Sequence, residues 1–335
     1  MNDETTVAEA SLALDVRDRA AVARALTLIE RGGETAQSLL MQLRAPDRAI
    51  RIGITGAPGA GKSTLTMQLV RALRPSGTVA VIAVDPSSPF SGGALLGDRV
   101  RMNDVAADDG VFIRSMAARG ALGGLSMAVA DGADVLDAAG FNYVLIETVG
   151  VGQSELDIAR IADTTLVLVT PESGDEVQTA KAGLLEVADV FVLNKDDRPD
   201  GNALWNALRR MIDARSRTVR GSWTPPIVRT VATDGRGIEQ LVEQIGRHRE
   251  HLLHHGELTA RLRARHRERL LALTTARLVR RLQSAEYAEL IDGALGAVAA
   301  GDTTLHEAAA ALARSFTADV PDITAPQGTA TAAGA

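Results

Sequence analysis

The chain has 335 residues, 46% hydrophobic and 23% charged, which is enough apolar material for one sizeable α/β domain with smaller attachments. Aromatic residues make up only 3% and the net charge is −6, so neither base-stacking platforms nor a global attraction to phosphate backbones or anionic lipid is expected; no nucleic acid and no membrane is predicted as a partner. No cysteine is present, which excludes disulfides, a thiolate nucleophile and cysteine-ligated zinc.

The acidic start Met1-Asn2-Asp3-Glu4 lacks the basic region of a signal peptide, and no apolar run reaches the roughly 18 residues of a membrane span, so a cytoplasmic location is expected. From about Val7 to Arg44, the spacing of Leu12, Leu14, Val22, Leu26, Ile29, Leu39, Leu40 and Leu43 predicts one or two amphipathic helices, closed by Ala45-Pro46-Asp47. Short β-branched and aliphatic runs then predict buried strands at Arg51–Thr55, Val79–Val84, Val111–Arg114, Tyr143–Glu147, Leu166–Val169, Val190–Leu193 and Ile227–Val231. Helix-compatible stretches separate them. This alternation predicts an α/β fold with a doubly wound, mostly parallel sheet, whose ligand loops lie at the strand carboxyl ends. After about Gly237 the pattern changes to long helices, including Arg261–Arg269 and a last unit around Leu290–Phe316, and Pro326–Ala335 reads as a disordered tail.

The first predicted strand runs into Gly56-Ala57-Pro58-Gly59-Ala60-Gly61-Lys62-Ser63-Thr64, the G-x-x-x-x-G-K-S phosphate loop, followed by helical spacing at Leu65, Leu69, Val70 and Leu73. The glycines let successive amides turn toward a β-phosphate, and the helix adds its positive end. Lys62 is expected to reach the β- and γ-oxygens, Ser63 to give its hydroxyl to Mg²⁺ and Thr64 to meet the α-phosphate. Strand and loop together predict a P-loop NTPase.

The base is read from Asn194-Lys195-Asp196-Asp197, an N-K-x-D sequence at the end of a predicted strand. Asp197 can accept hydrogen bonds from the N1–H and N2 amino group of guanine, which adenine does not offer. Lys195 is expected to lie along the purine and Asn194 to tie this loop to the phosphate loop. Val231, Ala232 and Thr233, after the last strand, are candidates for an amide contact to guanine O6. GTP and GDP are the expected bound nucleotides.

Glu147-Thr148-Val149-Gly150 has the layout of a D-x-x-G switch with Glu in place of Asp. Glu147 is expected to hold Mg²⁺ and the Gly150 amide to sense the γ-phosphate. Val151 follows the glycine where small regulatory GTPases carry a water-orienting glutamine, so slow intrinsic turnover is expected, with Asp85 and Asp98 as candidates to orient the water. His248, His251, His254 and His255 have helical spacings compatible with a metal site; without carboxylate or cysteine companions they read as solvated, as do the alternating arginines 261 to 269. Trp205 and Trp223 read as packing residues.

Beyond these motifs, Asp85-Pro86-Ser87-Ser88-Pro89, Gly97 to Met102, Arg114-Ser115-Met116-Ala117 with Arg119-Gly120, Glu147 to Ser154, and Gly174-Asp175-Glu176 with Gln178 and Lys181 resemble the methylmalonyl-CoA mutase-associated GTPases of the MeaB/ArgK type, SIMIBI-class P-loop G proteins. The resemblance covers most of Ile52 to Ile238. It implies a homodimeric metallochaperone that hydrolyses GTP to gate adenosylcobalamin delivery to a B12-dependent acyl-CoA mutase and to protect that enzyme, with a cobalamin adenosyltransferase as an indirect partner. It also implies Ser63, Asp85, Asp98 and Glu147 at the Mg²⁺ site, Lys62, Asp98 and Glu147 as the catalytic set, and Gly174 to Lys181 as a coupling loop. The organisation expected from this is a helical extension at 1–46, a GTPase domain at 47–248, a helical dimerisation arm at 249–325 and a tail at 326–335. Ala94, Glu172 and Asp196 depart from the family pattern, which leaves the choice between methylmalonyl-CoA mutase and a related isomerase open. The alternatives are a nickel-insertion GTPase, against which the missing cysteines count, and a transport-associated protein kinase, for which no phosphoacceptor is visible.

Overall fold

The computed structural model describes residues 14–44, 48–86, 107–118, 127–148, 154–173, 186–216 and 223–317. Two helices, α1 (Arg19–Arg31) and α2 (Gly33–Gln42), precede β1 (Ile50–Gly56), α3 (Lys62–Leu73), β2 (Val79–Pro86), β3 (Val111–Ala118) and α4 (Met127–Ala138). There follow β4 (Tyr143–Glu147), α5 (Ser154–Ile161), β5 (Thr164–Val169), β6 (Val190–Leu193), α6 (Gly201–Ser216), β7 (Ile227–Arg229) and α7 (Ile238–His254). Three further helices, α8 (Glu257–Leu282), α9 (Ala285–Ala300) and α10 (Leu305–Thr317), complete the described chain.

The strands form one seven-stranded sheet in the order β3-β2-β4-β1-β5-β6-β7, and every neighbouring pair is parallel. Alternation along each strand serves two faces. Val144 and Ile146 join α1, α4 and α5 residues such as Leu26, Leu136 and Ile158 in one core, while Leu145, Ile52 and Ile54 join Leu65 and Leu69 of α3 and Leu241 of α7 in the other. Each Leu or Ile so buried contributes roughly 1.5–3 kcal/mol of hydrophobic stabilisation before chain entropy is counted. Gly53 allows α5 to lie against β1, because a Cβ there would stand 2.5 Å from Ile158 Cγ1.

The amino-terminal helices share this core. Asp18 caps α1 by accepting from the Ala21 amide at 2.8 Å, and Val22, Ala25, Leu26 and Ile29 recur at helical spacing as its buried stripe. Arg114 of β3 donates to Thr27 at 3.2 Å and pairs with Glu30, which fixes α1 to the sheet.

By packing, the chain divides into two compact units, Met1–Arg263 and Ala264–Ala335, with the boundary inside α8. Neither α8 nor α9 buries any residue. The start of α10 is a capping box: Thr304 Oγ1 accepts from the Glu307 amide at 3.1 Å and Glu307 Oε2 accepts from the Thr304 amide at 3.0 Å, which holds the Glu307 carboxyl below its ordinary range. No helix of the described residues is long and apolar enough to cross a membrane.

Candidate functional site

The sheet register decides what surrounds the phosphate loop. Glu147, the last residue of β4, stands opposite Ile54 of β1 and Ala83 of β2, while Gly56, the last residue of β1, stands opposite Leu168 of β5. The loop from Gly56 to Gly61 therefore leaves the sheet beside the β4 carboxylate, at the carboxyl ends where parallel sheets bind ligands. Thr148 closes β4 onto β1, its amide donating to the Ile54 carbonyl at 3.0 Å and its hydroxyl donating to Thr55 Oγ1 at 3.0 Å.

Gly56, Gly59 and Gly61 have φ of 141°, 76° and 92°, values that side chains rarely tolerate, and the chain needs them to turn back into α3. At Gly56 a Cβ would also meet the Leu168 carbonyl at 2.4 Å. No side chain caps α3, so its first-turn amides face the loop with the positive end of the helix behind them. Lys62 is buried, and its Nζ donates to the carbonyls of Gly56 at 2.8 Å and Ala57 at 3.1 Å, which places a cation inside the curl of the loop. Pro58 is exposed, Ala60 is buried, and Ser63 and Thr64 sit part-exposed on the first turn of α3.

Ser63 Oγ donates to Glu147 Oε1 at 2.5 Å, and Thr66 Oγ1 lies 2.9 Å from Glu147 Oε2. A hydroxyl that donates its one hydrogen to a carboxylate keeps its lone pairs for a cation. The donor set of Ser63 and Glu147 is all oxygen, beside the phosphate loop, and fits a hard divalent ion such as Mg²⁺. Asp98 and Gly150 lie outside the described residues, and of Asp85 only the backbone is described, one residue before the end of β2. Thr66 carries no motif signal; a threonine inside a helix reads as an ordinary interior residue.

Asn194 is buried at the end of β6 and makes three contacts: Nδ2 donates to the Ala60 carbonyl at 2.8 Å, and Oδ1 accepts from Thr230 Oγ1 at 3.1 Å and from the Ala232 amide at 3.1 Å. It thus joins the phosphate loop, its own loop and the loop after β7. Lys195 has φ of 60°, and its ammonium pairs with Glu172 at 3.0 Å, a carboxylate that also pairs with Arg198. Asp197 is exposed, and among the described residues nothing hydrogen-bonds or pairs with its carboxylate. The amides of Val231 and Ala232 are already taken by the Arg236 carbonyl and Asn194, which leaves Thr233 as the candidate whose amide has no acceptor among the described residues.

The histidine segment differs in part from its sequence reading: His254 and His255 are exposed as expected, whereas His248 and His251 are not. His248 is fully buried, with Nδ1 2.9 Å from Thr164 Oγ1 and Nε2 3.2 Å from Asp189 Oδ1, because α7 packs on the amino-terminal ends of β5 and β6. His251 stacks on His255 at 4.1 Å, and Trp223 lies 4.9 Å from His248 and donates to the Asp189 carbonyl at 2.7 Å. Arg261 is likewise held, donating to both Asp189 oxygens at 2.9 and 3.2 Å. Burial works to raise the Asp189 carboxyl, and the His248 and Arg261 contacts more than offset it, leaving it below its ordinary range. Among the described residues no group of three or more His, Cys, Asp or Glu side chains is arranged to hold a metal.

A family model described as "Methylmalonyl Co-A mutase-associated GTPase MeaB" matches residues 22–287. A Pyrococcus abyssi protein named as a GTPase is 45% identical over 281 residues, 82% of this chain and 87% of that one. The GTPase ArgK of Escherichia coli is 40% identical over 250 residues, 72% of this chain and 75% of that one. The mouse protein named methylmalonic aciduria type A homolog, mitochondrial, is 36% identical over 270 residues, 74% of this chain and 64% of that one. Among solved structures, a crystal structure described as an LAO/AO transport system kinase matches with a TM-score of 0.67 and 28% identity, covering 95% of this chain and 99% of that one.

Proposed function

Because the chain belongs to the methylmalonyl Co-A mutase-associated GTPase family MeaB and is a P-loop GTPase, we propose that its GTP hydrolysis gates adenosylcobalamin delivery to a B12-dependent acyl-CoA mutase and protects that enzyme. The partner is methylmalonyl-CoA mutase or a related isomerase. The family's description and the name of the mouse relative support this reading.

The observation that carries it is the 2.5 Å contact between Ser63 and Glu147. Ser63 belongs to the phosphate loop, while Glu147 opens Glu147-Thr148-Val149-Gly150, the sequence with the layout of the switch. A group that both residues touch is therefore coupled, through three peptide units, to Gly150, the residue expected to respond to the γ-phosphate. In this reading the glycine-led loop and the first-turn amides of α3 bind the β-phosphate, and the Lys62 ammonium draws charge from the β–γ bridge. Asp197 selects guanine, and Asn194 holds the base loop and the phosphate loop at a fixed separation. Ser63 and Glu147, with Asp85 and Asp98, would hold Mg²⁺, which when bound neutralises charge on the β- and γ-oxygens.

We place a homodimer contact on the helical arm at 249–325. Leu270, Leu271, Leu278, Val279, Leu290 and Leu295 are exposed along α8 and α9, an apolar surface that supports burial against a second copy. The gating role is tested by measuring GTP turnover with and without candidate B12-dependent acyl-CoA mutases. Acceleration by one mutase and not by unrelated enzymes is expected; turnover indifferent to every acyl-CoA mutase would contradict it.

A further inference from the structure

The phosphate-loop motif ends at Ser63, yet another hydroxyl on the same helix reaches the same carboxylate. Thr66 is fully buried, and its Oγ1 lies 2.9 Å from both Glu147 Oε2 and the Lys62 carbonyl. A hydroxyl has one hydrogen to give. The Lys62 carbonyl stands four residues back in α3, where an α-helix already supplies it with the Thr66 amide. The ionised carboxylate is the stronger acceptor, and the opposite assignment would press hydroxyl lone pairs against a buried anion. The hydrogen therefore goes to Glu147.

Ser63 and Thr66, three residues apart on one face of α3, thus each donate to a different oxygen of one carboxylate. Glutamate has one more rotatable bond than the aspartate of the common switch motif, so its carboxylate has one more torsion to fix. A second donor at Oε2 fixes its plane. We infer that Thr66 is a positioning residue that locks the Glu147 carboxylate so that Oε1 and the Ser63 hydroxyl meet a nucleotide-bound divalent cation together. This rests on the reading of Ser63 and Glu147 as metal-holding residues; Thr66 acts only through Glu147.

The test uses Mn²⁺, which shares the oxygen preference and octahedral habit of Mg²⁺, titrated into the full-length GDP complex and followed by electron paramagnetic resonance. Thr66→Val should weaken Mn²⁺ binding roughly 10- to 100-fold, the usual effect of losing an outer-shell partner, with GDP affinity in the absence of divalent cations unchanged. Thr66→Ser, which keeps the hydroxyl, should bind Mn²⁺ like the unaltered protein, and Thr66→Ala serves if valine prevents folding. Glu147→Gln is the control. Weakened Mn²⁺ binding in Glu147→Gln together with unaltered binding in Thr66→Val, or an equal loss in Thr66→Ser, overturns the inference and leaves the metal reading standing. No effect of Glu147→Gln overturns the metal reading itself, and the inference with it.

Discussion

Asn194 Nδ2 donates to the Ala60 carbonyl at 2.8 Å, so the loop after β6 and the phosphate loop after β1 are braced against each other across β5. The brace leaves little slack: at Gly61, whose φ is already 92°, an added Cβ would stand 2.5 Å from that same Nδ2. Replacing Asn194 with Ala strands the Thr230 hydroxyl, the Ala232 amide and the Ala60 carbonyl, at about 1–3 kcal/mol for each buried group left unpaired. Release of a fluorescent GDP analogue should accelerate by at least about tenfold, with a lowered Tm. An unchanged release rate would show that the brace does not hold the nucleotide.

Asp197 has no structural duty among the described residues, so its substitution isolates recognition. Asp197→Asn should fold normally, lose about 100-fold in GTP affinity and gain affinity for xanthosine triphosphate, whose base edge complements the amide. Competition binding with the two nucleotides reads this directly.

Lys62 is held by the loop carbonyls of Gly56 and Ala57, and in the proposed reading it also meets phosphate. Lys62→Ala should abolish productive triphosphate binding. Turnover of γ-labelled GTP, with free phosphate as the only labelled product in the unaltered protein, provides the measurement; wild-type turnover in the variant would remove Lys62 from the site.

Asp189 predicts a pH dependence far from the nucleotide. Its carboxyl is held below the ordinary range by His248 and Arg261, so the native state binds fewer protons there than the unfolded chain. The resulting stability is fully present above the ordinary carboxylate pKa of about 4 and is lost as pH falls through the lower native value. Asp189→Asn should be destabilised by on the order of 3 kcal/mol at pH 7, a deficit that shrinks on acidification below about pH 4. Urea unfolding at a series of pH values checks both the size and the direction.

Much of the fold was legible because buried parallel strands read as unbroken apolar runs; Tyr143–Glu147 and Val190–Leu193 coincide with β4 and β6 to the residue. The last strand is shorter than its apolar run, since Val231 turns away to bridge Arg236 and β7 stops at Arg229. The turn after β1 was legible because a chain that doubles back into a helix needs glycines at fixed spacing, as the positive φ of Gly56, Gly59 and Gly61 shows. Thr66 and His248 were not. Their roles come from Glu147 and Asp189, which the sheet brings near from distant positions, and neither residue's sequence neighbours carry a trace of that contact. The histidine spacing on α7 pointed outward to solvent or metal, whereas the packing of α7 on β5 and β6 turns His248 inward.

In the proposed function one pocket, braced by Asn194, grips a triphosphate and selects guanine. Calorimetric titration of the full chain with non-hydrolysable GTP and ATP analogues in the presence of Mg²⁺ tests it most directly. One site per chain is expected, with a preference for the guanine analogue of at least about 100-fold, the size of losing the charged Asp197 contacts. Equal affinity for the two analogues, or no binding of either, would contradict it.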